Sequence, residues 1–152
     1  MDLTKIIAIT GKPGLFKLLS QTKSGFVVKD LISQKKLSMS ASSQVSLLHN
    51  ISIYTHDADL PLASVLVAIS KKHSYKEIEF DKKDSQNLRT LMKDVQPDYA
   101  EDRVYDSDLK KLFTWYNILV KNEVITEESV QTYTENLSKS EEKSEKESTT
   151  QS

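Results

Sequence analysis

Residues 25–55 read GFVVKDLISQKKLSMSASSQVSLLHNISIYT, and this stretch decides the fold. Short apolar and β-branched runs alternate in part with polar residues and are separated by polar turns. Such a pattern is typical of antiparallel strands with one buried face. A meander this small cannot bury that face alone, because a stable sheet needs another layer packed against it. We therefore predict that the neighbouring segments close over this stretch.

The segment before residue 25 adds further strand signals. Residues 15–20 alternate apolar and polar side chains, and residues 21–25 predict a hairpin turn that ends in glycine. A bulge or bend is expected at residues 48–50. About five short strands with small loops are what a small SH3-like antiparallel β-barrel requires, because closure protects the sheet edges. The sequence thus predicts an α+β protein that begins with such a barrel.

The segment after residue 55 predicts helices. An apolar stripe with the spacing i, i+3, i+4, i+7 marks the first of them, residues 57–59 are its predicted cap, and it should close the open end of the barrel. The stripe consists of Leu62, Val65, Leu66 and Ile69. Asp84 and Ser107 are predicted to cap two more helices. A short last helix is expected to start at residues 126–128.

These signals divide the chain into three predicted parts and one linker. Residues 1–73 form the barrel with its capping helix, and residues 84–137 form a helical module of the helix–extended loop–helix type. Residues 74–83 are a linker candidate between them. Residues 138–152 contain no apolar side chain, so they cannot offset the entropy of ordering and are predicted to form a disordered tail.

Composition bounds the class of protein. The chain has 152 residues, of which 38% are hydrophobic and 28% charged, which fits a soluble globular protein. It contains no cysteine, which excludes disulfides, thiolate zinc sites and cysteine nucleophiles. The N-terminal apolar run is too short for a secretory signal or a membrane span. We therefore expect a cytoplasmic protein without a membrane partner.

Charge is distributed unevenly along the chain. The net charge is −1, yet residues 1–56 carry seven lysines and two aspartates, a local charge of +5. Residues 81–137 carry eight basic and twelve acidic side chains, a local charge of −4. Such asymmetry indicates a basic binding face, an electrostatic contact between the two halves, or a solvated lysine-rich surface.

Catalytic and cofactor motifs find little support in the sequence. Residues 10–14 read TGKPG, but a phosphate-binding loop needs Gly-Lys-Ser/Thr after its second glycine, and Leu15 follows Gly14. We interpret this loop as a structural turn. His56 with Asp57 and Asp59 is the best metal candidate, but the two aspartates are explained by capping of the next helix. No cofactor, no metal site and no enzymatic activity are predicted.

Two resemblances can be named on particular residues. Residues 3–16, 45–48, 51–55, 107–111 and 115–117 resemble an uncharacterised domain-of-unknown-function family of small Bacteroidetes proteins, which implies no established activity. Residues 88–119 are similar to the helix–extended loop–helix modules of SAP-like and Rho N-terminal domains, several of which bind nucleic acid. Here the loop is acidic, whereas contact with phosphates needs net positive charge.

These observations favour a non-enzymatic adaptor with an unknown protein partner. Its predicted partner-binding residues are Trp115, Tyr116, Lys110 and Lys111, because aromatic side chains anchor interfaces. The alternative is an RNA- or DNA-associated protein that holds the phosphate backbone through one lysine-rich barrel face. That face would consist of Lys17, Lys23, Lys29, Lys35 and Lys36. The sequence leaves the oligomeric state open.

Overall fold

Seven short strands and four helices follow one another in the computed structural model, which describes residues 2–136. The strands are β1 (Ile6–Ile9), β2 (Phe16–Gln21), β3 (Gly25–Asp30), β4 (Lys36–Ser40), β5 (Val45–Leu47), β6 (Ser52–Tyr54) and β7 (Asp59–Pro61). The helices are α1 (Leu62–Lys72), α2 (Ser85–Val95), α3 (Asp106–Lys121) and α4, residues 127–136. The predicted α+β class is confirmed. The predicted disordered tail lies outside the described residues.

The first five strands form one antiparallel sheet in the order β4-β3-β2-β1-β5. Strand β1 pairs with β2 on one side and β5 on the other, so that Ile7 lies opposite both Phe16 and Leu47. Strands β2 and β3 shift register between Leu18 and Ser20. Such a shift bends the strand and increases its twist, which curves the sheet.

The sheet is open rather than closed, so the predicted barrel is not confirmed. Strands β4 and β5 are its two edges, and the described strands form no ladder between them. After β5 the chain enters a 3-10 turn at Leu48–Asn50, where the bend was expected. The next strand, β6, then pairs with β7 in a separate hairpin. Strand β6, which was predicted to continue the barrel, thus belongs to this second sheet.

The curved sheet buries side chains on both faces. Ile7, Ile9, Phe16 and Val28 form a small cluster on one face. Ile6 and Leu31 belong instead to the main core, which the helices complete. Because successive strand residues point to opposite faces, Ile6 and Ile7 serve two different clusters. The sheet therefore joins the two halves of the chain instead of forming an independent barrel.

Helix α1 begins later than predicted. Residues 57–59 do not cap it: Asp59 lies in β7, opposite Tyr54, and the helix starts after Pro61. The turn between β6 and β7 is closed by Thr55, whose hydroxyl oxygen accepts a hydrogen bond from the Ala58 amide at 3.0 Å. The predicted stripe is correct, because all four of its residues are buried in the main core. Helix α1 packs against the 3-10 turn, β6, β7 and α2.

The starts of the other helices follow local hydrogen bonds. Asp84 caps α2 as predicted, since its carboxylate accepts from the Asn87 amide at 3.1 Å. The predicted cap at Ser107 is wrong, because α3 is capped at Tyr105, two residues earlier, where the carboxylate of Asp108 accepts from the Tyr105 amide at 3.0 Å. The Thr126 hydroxyl accepts from the Ser129 amide at 3.1 Å and begins α4.

Residues 74–83 are held against α3 although they form no helix or ladder. The Asn117 side chain accepts from the Ile78 amide and donates to the Ile78 carbonyl, both at 2.8 Å. Phe80 packs on Phe113 with ring centroids 5.7 Å apart. This predicted linker is thus fastened to the helical layer at its centre. The division into domains at 73 and 84 stays a prediction.

Candidate functional site

Helix α3 carries the predicted partner-binding residues on different faces. Its apolar stripe, with Leu112, Phe113 and Tyr116, is buried in the main core. Lys111 and Trp115 are four residues apart, so they are neighbours on one side of the helix. Lys111 is exposed and Trp115 is half-buried. Their side of α3 faces two adjoining grooves, and both residues line each of them.

The first groove, called here the β6–α3 groove, has a volume of about 230 Å³. Its walls are mostly apolar and include Ile53, Leu62 and Leu112 in addition to Trp115. At the rim, the Arg103 guanidinium carbon lies 4.1 Å from the centre of the Tyr54 ring, within the range of a cation–π contact. Tyr54 itself remains 40% exposed. The groove offers an apolar floor with a charged rim.

The second groove, called here the glycine-loop groove, has a volume of about 370 Å³. One wall is the loop of residues 10–14 that joins β1 to β2, and the others include Ser46, Ile51, Lys111 and Trp115. Gly11 and Gly14 have positive φ angles of 84° and 86°, a conformation that glycine adopts without strain. A Cβ atom at Gly11 would meet nothing within 4 Å. The loop backbone at this position is therefore open to approach.

The loop that carries Arg103 is fixed from behind by Arg89 on α2. The Arg89 guanidinium donates to the Asp106 carboxylate at 2.9 Å and to the Val104 carbonyl at 3.1 Å. The Tyr99 side chain is the main cause that raises the pKa of Arg89 above its usual value, although an arginine is charged at neutral pH without such a shift. In addition, the Ala100 amide donates to the Tyr54 carbonyl at 2.9 Å. These contacts hold both sides of the β6–α3 groove in place.

The structure separates the four predicted partner-binding residues. Trp115 and Lys111 line the two grooves, whereas Lys110 is exposed but lines neither. Tyr116 is fully buried, and its hydroxyl donates to the Lys76 carbonyl at 2.7 Å. Burial raises the pKa of Tyr116 to about 12. Tyr116 is a core residue and offers no surface to a partner in this structure.

The five lysines of the alternative prediction fall into two groups. Lys17, Lys29 and Lys36 lie directly opposite one another across β2, β3 and β4 and form a row, called here the lysine row. Lys23 lies in the turn between β2 and β3, and Lys35 precedes β4. Like charges directly opposite in a sheet repel each other. The lysine row is thus a local concentration of positive charge.

Acidic side chains share the groove beside the lysine row. This groove is lined by Lys5, Lys17 and Lys29 and also by Asp2, Glu123 and Glu128. Three basic and three acidic side chains therefore line the same groove at the boundary between the sheet and α4. The positive charge of the row is compensated in part within the protein.

The described part of the chain contains neither a cluster of metal ligands nor a helix that could span a membrane. Within residues 2–136, no three His, Asp or Glu side chains come together in a group that could hold a metal ion. In the same part of the chain, every helix is too short or too polar to cross a membrane.

Sequence reasoning missed most of the residues that build the grooves. The sequence predicts only a turn at residues 10–14, and it assigns no binding role to Tyr54. A signal for the loop did exist, since two glycines flank a lysine there. The pairing of this loop with α3 could not be predicted, because about a hundred residues separate them in the chain.

The comparisons with known proteins divide the chain at the 3-10 turn. Residues 3–48 match the model of a domain of unknown function, DUF5606, and residues 51–119 match a second, DUF6852. A solution NMR structure from Bacteroides vulgatus, a structural genomics target, is 37% identical to the chain. It has a TM-score of 0.68, and the match covers 82% of this chain and 90% of that one. The chain belongs to an uncharacterised domain-of-unknown-function family, marked by the DUF5606 and DUF6852 segments.

The predicted resemblance to such a family is thereby confirmed. None of the curated proteins compared with the chain matches it. In this family member the glycine-loop groove lies where the two matched segments meet, whereas every residue that lines the β6–α3 groove belongs to the second segment. The glycine-loop groove takes residues 10–14 and Ser46 from the first segment, and Ile51, Lys111 and Trp115 from the second. Lys111 and Trp115, which line both grooves, thus connect the groove of the second segment with the junction between the two segments.

Proposed function

We propose that this protein is a non-enzymatic adaptor that binds a protein partner through the two grooves beside Trp115. The observation that carries the proposal is the position of this side chain, half-buried and shared by both grooves. Trp is enriched among interface hot spots, and protein interfaces combine an apolar core with a polar rim. The apolar walls and the charged rim of the β6–α3 groove have this composition.

The proposal extends to the type of barrel, the role of the helical module and the cellular compartment. The sheet is proposed to be a partly open form of a small SH3-like barrel, since its fifth strand returns to the first. The helices α2 and α3 with the loop between them are proposed to act as a helix–extended loop–helix module. A cytoplasmic protein partner is proposed, in line with the absence of cysteine from the chain.

A selection from a phage library of random dodecapeptides against the immobilised full chain tests the adaptor proposal. We expect enrichment of specific peptides on the wild-type protein and its loss on Trp115→Ala. Tyr105→Ala is the matched control, because Tyr105 is 66% exposed and lines neither groove. Tyr54→Ala is a second test variant in case loss of the half-buried indole lowers stability. Equal enrichment on all four proteins, or none on the wild type, would refute the proposal.

The second candidate function is association with nucleic acid through the lysine row. It is supported by the cross-strand alignment of Lys17, Lys29 and Lys36. If it is correct, fluorescence anisotropy should show oligonucleotide binding that collapses between about 50 and 200 mM salt, because bound counterions are released. Lys29→Glu/Lys36→Glu should abolish this binding, whereas Lys23→Glu/Lys35→Glu, with the same change in net charge, should retain most of it.

A further inference from the structure

All charged side chains that line the glycine-loop groove are basic. Lys12 and Lys111 both line it, from the β1–β2 loop and from α3. Thr10 and Ser46 add two hydroxyl groups, and no carboxylate occurs among the described residues that line this groove. The positive charge here therefore lacks the compensation that the groove beside the lysine row has. An anionic group is the complement that such a lining favours.

The neighbouring β6–α3 groove favours an apolar group instead. The β6–α3 groove is mostly apolar, and it adjoins the glycine-loop groove through Ile51, Lys111 and Trp115, which line both. Its rim has one carboxylate, Asp108, against Lys111 and Arg103. A single extended segment that crosses Trp115 would thus place an apolar side chain on one side of the indole and an anionic group on the other.

We propose that the partner is an acidic peptide segment, with an apolar side chain in the β6–α3 groove and a carboxylate between Lys12 and Lys111. This inference rests on the proposed adaptor function and specifies the chemistry of its partner. The ammonium groups of both lysines can donate hydrogen bonds to a carboxylate, and the Thr10 and Ser46 hydroxyls can donate further hydrogen bonds to the same carboxylate. Because Gly11 has no side chain and open space beside it, the peptide backbone can approach the loop closely.

The charge of the selected peptides is the first readout. Dodecapeptides enriched on the wild-type chain are expected to carry net negative charge and at least one large apolar residue. Peptides that depend on Trp115 but lack acidic residues would overturn this inference and leave the adaptor function standing. If no peptide is enriched, both fail. The two proposals are therefore tested separately by one selection.

The second readout is the effect of charge reversal on the most enriched peptide. Lys12→Glu/Lys111→Glu is expected to weaken its binding by at least about tenfold in fluorescence anisotropy, because unfavourable charges then face the carboxylates. Lys23→Glu/Lys110→Glu changes the net charge equally but lies outside the groove, so it should weaken binding much less. Equal losses in the two double variants would contradict a local carboxylate site.

A competition arm distinguishes carboxylates from phosphates. The labelled peptide is displaced with poly-glutamate, with inorganic phosphate, or with a single-stranded oligonucleotide of random sequence. Displacement by poly-glutamate at the lowest concentration supports the inference. Displacement by the oligonucleotide or by phosphate at lower concentrations would assign the groove to phosphate groups and overturn it.

Discussion

At the scale of single residues, two side chains of α3 hold the segment of residues 74–83 in place. Asn117 pairs with both backbone groups of Ile78, as the next strand of a sheet would. Tyr116 donates to the Lys76 carbonyl from a fully buried position. A buried carbonyl left without a donor costs about 1–3 kcal/mol. These two polar contacts therefore fix a segment that has no regular secondary structure of its own.

The raised pKa of Tyr116 predicts a stability change at alkaline pH. Its pKa is about 12 in the folded chain, against 10.0 as the ordinary value. The folded state therefore keeps this proton more strongly than the unfolded state. The resulting stabilisation is complete below about pH 10 and is lost as pH rises to about 12, by up to about 2–3 kcal/mol.

Urea unfolding of the wild type and of Tyr116→Phe at about pH 9 and 11 checks this prediction. The variant should be less stable at the lower pH, by about 1 kcal/mol for the lost hydrogen bond. The difference should shrink or reverse at the higher pH, because phenylalanine does not ionise. A difference that is the same at both pH values would show that Tyr116 does not carry the effect.

At the scale of elements, close backbone approach determines how β3 and β4 pair. Gly25 starts β3 opposite Ser40, and a Cβ atom added at Gly25 would lie 1.9 Å from the Met39 carbonyl oxygen. Backbone atoms in a ladder cannot move aside as a flexible side chain can. The two strands therefore approach this closely only because residue 25 lacks a side chain.

Gly25→Ala is expected to destabilise the fold by about 3 kcal/mol or more, because β4 must shift to relieve the overlap. Gly11→Ala is the matched comparison: a Cβ there meets nothing within 4 Å, and only the positive φ of 84° opposes it. Its expected cost is about 1–2 kcal/mol. Urea denaturation of both variants measures the two free energies of unfolding. A larger loss for Gly11→Ala would contradict the structural explanation.

At the scale of the whole molecule, one core joins the N-terminal strands to the helices. Ile6, Leu15, Leu31 and Leu48 contribute to it from the first half of the chain, and the stripes of α1, α2 and α3 complete it. The halves are also linked by polar contacts: the Asn122 side chain on the C-terminal side of α3 donates to the Leu31 carbonyl at 2.9 Å. If one half unfolds, the core residues of the other half lose their packing partners and become exposed to water.

We therefore expect the chain to unfold in a single cooperative transition. Trp115 fluorescence reports on the helical layer, whereas far-ultraviolet circular dichroism reports on both strands and helices. The two signals should give coincident urea midpoints, which is the test for two-state behaviour. Asn122→Ala should lower both midpoints together. Separate midpoints would instead show that the strands and the helices unfold independently, as two domains do.

The sequence predicted those features that depend on neighbours along the chain. The buried stripe of α1 and the cap at Asp84 follow from spacing and from one side chain. The sequence did not predict in detail how neighbouring strands pair. The register shift between Leu18 and Ser20, and the pairing of β6 with β7, have no local signature. The alignment of the lysine row depends on this register, so strand alternation alone could not reveal it.

Both grooves are assembled from parts of the chain that meet only in the native fold. The loop of residues 10–14 and the residues Lys111 and Trp115 come from opposite ends of the described sequence. A partner that occupies them can bind the native chain but finds no such surface on the unfolded one. By mass action, a partner present at about 100 times its dissociation constant would add about 2.7 kcal/mol to the stability of the chain. Occupied copies would then outlast empty ones during proteolysis, and the amount of partner would set the amount of this protein.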